Sequence, residues 1–165
     1  MYRLRWHYTT DHRAITKGNN MKITADEVRG KASKMWPNLE YEWLWDKTFW
    51  QPPVQVVQDA MKLSNVPTMD FIEEFNDCDD FALQFLAEVR RKRYFQWKQG
   101  NLPAESKFPI AMAFVFGDMF RGISKVHAAN LCFCQEGIYM IDATPGEKRM
   151  WEACGDQDNI IFLFM

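Results

Sequence analysis

The stretch Asp77-Cys78-Asp79-Asp80-Phe81-Ala82-Leu83-Gln84-Phe85-Leu86-Ala87-Glu88-Val89 decides how the chain is read. Phe81, Ala82, Phe85, Leu86 and Val89 recur at helical spacing and form one apolar face, with Gln84, Glu88, Arg91 and Lys92 turned away from it. The pattern predicts the strongest helix of the chain over about 77–98. Asp77 stands at the N-cap position, and Asp80 three residues on completes a box-like start. Arg90 to Arg93 and Lys98 load the C-terminal half with positive charge, which suits the helix dipole, and Gly100 is the expected stop. Cys78 therefore falls in a first turn, where free backbone N–H groups and the dipole favour a thiolate. The alternative for Cys78 is a small buried residue with no chemistry.

Upstream, Thr24 followed by Glu27 reads as a capping box that opens a helix to about Met35, ended by Pro37. Trp36, Tyr41, Trp43, Trp45, Phe49 and Trp50 make residues 36–53 strongly aromatic, serving either as core or as the wall of a groove for an extended chain. A short helix is expected over 54–63 with Val54, Val57 and Met61 inward. Downstream, 108–116, 124–134, 137–143 and 159–165 read as strands, with Gln135-Glu136-Gly137 as the hairpin turn between the second and third. The expected fold class is α+β, a helical N-terminal half packed on an antiparallel sheet. Residues 1–22 read as a polar N-terminal extension and 23–165 as a single domain.

The chain has 165 residues, 47% of them hydrophobic and 15% aromatic, enough for a packed core and too apolar for disorder. A net charge of -2 gives no footprint for nucleic acid. The apolar runs are too short to cross a membrane, and the start Met1-Tyr2-Arg3-Leu4-Arg5-Trp6-His7 has no secretory h-region. A cytoplasmic location is expected, and a viral or phage origin stays open. Four cysteines are too few for a disulfide scaffold. Cys132 and Cys134 share a strand face, but with Cys154 they lack zinc-knuckle spacing and a fourth ligand, so they read as ordinary thiols. The run Arg90–Arg93 reads as a solvated helix face able to meet an acidic partner.

The order Cys78, His127, Asp142 is what nucleophilic thiol chemistry needs: a thiolate, a base to make it and a carboxylate to hold the base. His127 begins a strand with small neighbours, and Asp142 ends the next strand across one hairpin, where it could fix the imidazole tautomer. Asp142 also heads Asp142-Ala143-Thr144-Pro145-Gly146, a loop entry, so a turn role competes. Asn130 is a rival orienter on the opposite strand face. His7 and His12 lie in the polar start and are poorer bases.

The runs Cys78-Asp79-Asp80-Phe81-Ala82, His127-Ala128 and Ile141-Asp142-Ala143-Thr144-Pro145-Gly146 resemble the transglutaminase-like, papain-type superfamily. Asp77-Cys78-Asp79-Asp80-Phe81-Ala82 is similar to a motif of bacterial transglutaminase-like cysteine proteinases. The resemblance implies a papain-type core and a cysteine peptidase or amidase working through an acyl-enzyme. Its catalytic residues would be Cys78, His127 and Asp142, and its substrate a peptide, isopeptide or peptidoglycan peptide. It leaves two alternatives, an amine-transferring acyltransferase and a non-catalytic binding protein. No cofactor is expected. Calcium, as in the proteinases it resembles, would use Asp77 and Asp79, whereas helix capping explains the same residues without an ion. Ile72 occupies the position where papain-type enzymes carry an oxyanion glutamine, which leaves Gln51, Gln55, Trp50, Asn76 and the Cys78 backbone N–H as candidates. Asp77, Asp79 and Asp80 crowd the thiol and oppose its ionisation.

Overall fold

The computed structural model describes residues 21–73, 77–102, 107–145 and 149–165. His7, His12, Asn76, Gly146 and nearly all of the expected extension lie outside the described residues. The Thr24–Glu27 capping box is present: the Thr24 hydroxyl accepts from the Glu27 N–H, and the Glu27 carboxylate accepts from the Thr24 N–H. It starts α1, Ala25–Met35, directly after β1, Lys22–Thr24. The aromatic segment forms two short strands, β2 (Tyr41–Trp43) and β3 (Thr48–Trp50). Next come α2 (Val54–Leu63), a single 3-10 turn at Val66–Thr68, and the long helix α3 (Cys78–Lys98). Gly100 takes a positive φ of 71° just beyond α3, the left-handed stop a glycine supplies cheaply. Five strands complete the chain: β4 (Met112–Phe120), β5 (Ile123–Phe133), β6 (Ile138–Asp142), β7 (Arg149–Glu152) and β8 (Asn159–Phe164).

The main sheet has six strands in the order β2-β8-β4-β5-β6-β7, and β1 with β3 forms a separate two-stranded sheet. Two expectations are corrected here. The N-terminal half is not simply helical, because it supplies three strands, and the sheet is not purely antiparallel, because β2 runs parallel to β8. The helical half on a papain-type core gives way to a sheet-centred fold carrying three helices. The added strands are three residues long and lack the alternation that marks a strand in sequence.

Side chains of the central strands alternate between two cores. Ala129, Leu131 and Phe133 of β5 pack with Val28, Ala32, Trp36 and Phe49. Cys132 and Cys134 face the other way, with Phe81, Phe85 and Val57 from α3 and α2. Burial on both faces explains why the second half of β5, Ala128–Phe133, is apolar apart from Asn130. The expected solvated face Arg90–Arg93 is also corrected. Arg93 is buried, with its guanidinium 3.5 Å from the Trp50 ring centroid and its Nε donating to the Phe108 carbonyl. Burial lowers its pKa to about 10. Arg90 donates to the Met112 carbonyl over a longer 3.4 Å. Among the described residues no helix is long and apolar enough to cross a membrane.

Candidate functional site

The hairpin β5–β6 pairs Asn130 with Ile141. Continuing that register one step sets Asp142 opposite Ala129, on the sheet face shared with His127 two residues earlier. The two side chains meet there, with His127 Nε2 3.2 Å from Asp142 Oδ2. Asp142 also fills its expected turn role: its Oδ1 accepts from the Thr144 N–H at 3.0 Å and the Thr144 hydroxyl at 2.6 Å. Both readings of Asp142 thus hold at once, because a carboxylate has two oxygens to give. Asn130 does not compete. Its amide donates to the Ala82 and Ala113 carbonyls and ties α3 to the sheet. Phe120 packs edge-on against the imidazole at 5.4 Å.

Cys78 opens α3 and reaches the same place. The His127 ring is the largest influence on its thiol and holds it below its ordinary value. Burial opposes this, the Ala128 N–H adds to it, and the charge of Asp77 works against it. For His127, burial disfavours the charge, but Asp142 and then Cys78 outweigh it and raise the ring to about 9. Burial likewise pushes Asp142 up, yet His127 and Thr144 bring it down to about 2. The set brings a thiol of lowered pKa against a ring of raised pKa that the Asp142 carboxylate holds in place. Hydrogen bonding between ring and thiol outweighs their charge interaction in lowering the Cys78 pKa.

At the start of α3 the expected cap is missing. Asp77 is the N-cap residue, but its side chain makes no cap hydrogen bond, and its Oδ1 is buried without a partner. The Asp77 and Asp79 carboxylates and the Cys78 sulfur lie within 4.8 Å of one another. Hydrogen bonding with Asp77, then burial, raises the Asp79 pKa. Two carboxylates and a thiol are a poor match to the six to eight oxygens that calcium takes. Two of the side-chain candidates for an oxyanion donor are spent elsewhere, and Asn76 lies outside the described residues. Gln51 donates to the Cys134 carbonyl and Gln55 to Asp59, while Trp50 stacks under Arg93 with its buried indole N–H unpaired. All four cysteines are free, and Cys132 and Cys134 sit in the core. Sequence reasoning missed Thr144 and the Ala128 N–H. A Thr two residues after an Asp is a legible turn signal, whereas a backbone N–H facing a distant sulfur leaves none.

No family model matches the chain, and no curated protein matches it. Solved structures share its fold. One, a PSL1a-E64 complex, superposes with a TM-score of 0.68 at 18% identity, over 89% of this chain and 51% of that one. A Polyporus squamosus lectin, bound to the human-type influenza-binding epitope Neu5Aca2-6Galb1-4GlcNAc, gives a TM-score of 0.64 at 17% identity, over 89% and 50%. The chain spans about half the length of each. The neighbour that is named for its function is a lectin, not a transglutaminase-like peptidase. That overturns the expected family, and with it the cysteine peptidase or amidase and its peptide, isopeptide or peptidoglycan-peptide substrates. The physical reason is that the motifs are short. A cysteine at a helix start, a histidine on a strand and an aspartate at the next strand's end specify a local geometry and not a family.

Proposed function

We propose that the chain is a binding module whose ligand seat centres on a reactive thiol. Cys78 is the nucleophile, His127 the group that holds its proton, and Asp142 the carboxylate that orients the ring. One observation carries the reading: the Cys78 thiol stands against a His127 ring that Asp142 Oδ2 holds at 3.2 Å, with the buried Asp77 Oδ1 on the other side of the sulfur. Carbohydrate is the ligand class that the likeness to a lectin supports.

E64, present with PSL1a in the other neighbour, provides the test because it carries an epoxide. Attack by the Cys78 thiolate forms a carbon–sulfur bond and breaks one ring carbon–oxygen bond, and the His127 imidazolium gives its proton to the alkoxide. Intact-mass analysis is expected to find one E64 per chain, mapped to Cys78 and lost in Cys78→Ala. Calorimetry with the sialylated trisaccharide tests the ligand class. Slow modification spread over Cys78 and the exposed Cys154 alike would remove the reactive-thiol site. Repeated cleavage of a peptide by the wild-type chain, lost in Cys78→Ala, would overturn the binding-module reading.

A further inference from the structure

The sheet carries an uncovered aromatic face far from Cys78 in the strand order. Strand pairing sets Tyr41, Phe162 and Phe116 side by side across β2, β8 and β4, and sets Trp43, Phe164 and Phe114 in a second row two residues along. Directly paired residues point to the same side, as do residues two apart, so both rows share one face. Trp45 extends it, edge-on to Phe164 at 5.4 Å. Tyr41 is 62% exposed, Trp43 63%, Trp45 71% and Phe116 37%. At roughly 150–250 Å² for a whole aromatic side chain, these four present on the order of 500 Å² to solvent. That is at the upper end of what a monomer's largest apolar patch shows. It is also more than half of the ~800 Å² that each partner gives to a standard interface.

The patch borders an open sheet edge. The Trp43 carbonyl and the Trp45 N–H both bond Met165 of the sheet. By strand alternation, Glu42 and Leu44 turn their N–H and C=O groups outward, and among the described residues no strand pairs with β2 on that side. The edge strand is short, three residues. It carries no proline or lysine, and its one charge, Glu42, is held by Arg29 at 2.7 Å.

We infer that a second copy of this chain docks here, its β2 antiparallel to the first across a two-fold axis. Glu42 of each copy then exchanges backbone hydrogen bonds with Leu44 of the other. Trp43 faces its own symmetry mate in the close, non-hydrogen-bonded pair, and Tyr41 faces Trp45. The register is self-complementary, and the only like charges it brings opposite one another are the exposed Glu40 and Asp46, beyond the paired residues. The Phe114, Phe116, Phe162 and Phe164 floor suits another apolar face.

Sedimentation velocity on the full chain from 1 to 100 µM tests the pairing. The wild type is expected to sediment as a dimer, and Trp43→Lys, at a surface position, as a monomer with an unchanged far-ultraviolet circular dichroism spectrum. Tyr41→Lys gives an independent second break. A wild-type chain monomeric throughout the range would overturn the inference, as would a dimer that survives both substitutions. So would a monomer whose tryptophan fluorescence is quenched by oligosaccharide through Trp43, which would make the face a sugar platform.

Discussion

Two aspartates, Asp158 and Asp142, are both largely withdrawn from solvent, and their surroundings differ in kind. Asp158 is completely buried and fully supplied: it accepts from the Arg121 N–H at 2.9 Å, the Cys154 N–H at 3.0 Å and the Trp151 indole at 3.2 Å. All three donors belong to backbone or to a side chain that does not titrate, and they pin the β4–β5 turn to the segment before β8. That turn needs a pin, since Arg121 and Gly122 both have positive φ. Asp142 instead gives one oxygen to the local turn and the other to an imidazole that titrates and that also meets the part-exposed Cys78 thiol. A closed set of partners holds a fold, and an open set leaves something for a ligand to complete.

The largest expected effect breaks the closed set. Asp158→Ala orphans two backbone N–H groups and one indole N–H in the interior, at about 1–3 kcal/mol each. A loss of about 3–5 kcal/mol in chemical denaturation is expected, with the rate of Cys78 labelling unchanged wherever the chain stays folded. Labelling that fell in step with stability would mean that the two regions are not separable.

The open set should respond in reactivity before stability. In His127→Ala the Cys78 thiol loses the largest influence that lowers its pKa, so alkylation at pH 7 is expected to slow roughly tenfold, toward the rate of an ordinary thiol. Cys154, exposed on the same chain, is the internal standard. An unchanged Cys78 rate would separate ring from thiol and leave the site without its base.

How much of this could be read in the sequence follows the range of the interactions. The Thr24–Glu27 box, the stripe of α3 and the four long strands were legible because each is written within a few residues. So was the meeting of His127 with Asp142, since a hairpin of known register leaves little choice of face. The three-residue strands β2 and β3 were not, because their pairing is decided by β8 and β1, far off in the chain. Arg93 was misjudged for the same reason: a charge run looks solvated until Trp50 is brought beneath it. The family was misjudged because six residues around a cysteine describe the first turn of a helix and little more. Asp77 failed differently. It occupies the cap position that the sequence named, yet its carboxylate is turned toward Asp79 and the thiol instead of the backbone.

Asp142→Asn sharpens the comparison on the protonation axis. The ring of His127 sits at about 9, and Asp142 is the largest influence raising it, so the substitution should bring it down toward the ordinary 6.5. Histidine resonances in a proton NMR titration would show it directly, since the chain has only 3 histidines. The folded-state value lies above the ordinary one. The charged ring therefore stabilises the fold fully below pH ~6.5, and that stabilisation is lost as pH rises through about 9. The carboxylate works in the other sense. Held at about 2, its contribution is present above its ordinary value and fades as pH falls through about 2. The alkaline slope of melting temperature should flatten in Asp142→Asn, and a wild-type ring titrating near 6.5 would defeat the ion-pair description.

The smallest effect concerns the acidic start of α3, where the charge of Asp77 raises the thiol pKa against the pull of His127. With no cap hydrogen bond to lose, Asp77→Asn should cost little stability and should speed Cys78 labelling severalfold at pH 6, because the opposing charge is gone. A calcium ion at Asp77 and Asp79 would neutralise the same charge. If one is held, adding a chelator to the wild type must slow labelling and lower the melting temperature, and the Asn variant must be indifferent to both. We expect the chelator to change neither quantity, since two carboxylates beside a sulfur offer too few oxygens for that ion. The two manipulations act on one carboxylate from opposite sides. A rise in rate on Asp77→Asn with no chelator effect places an uncompensated charge beside the thiol, and a chelator effect that vanishes in Asp77→Asn places a cation there.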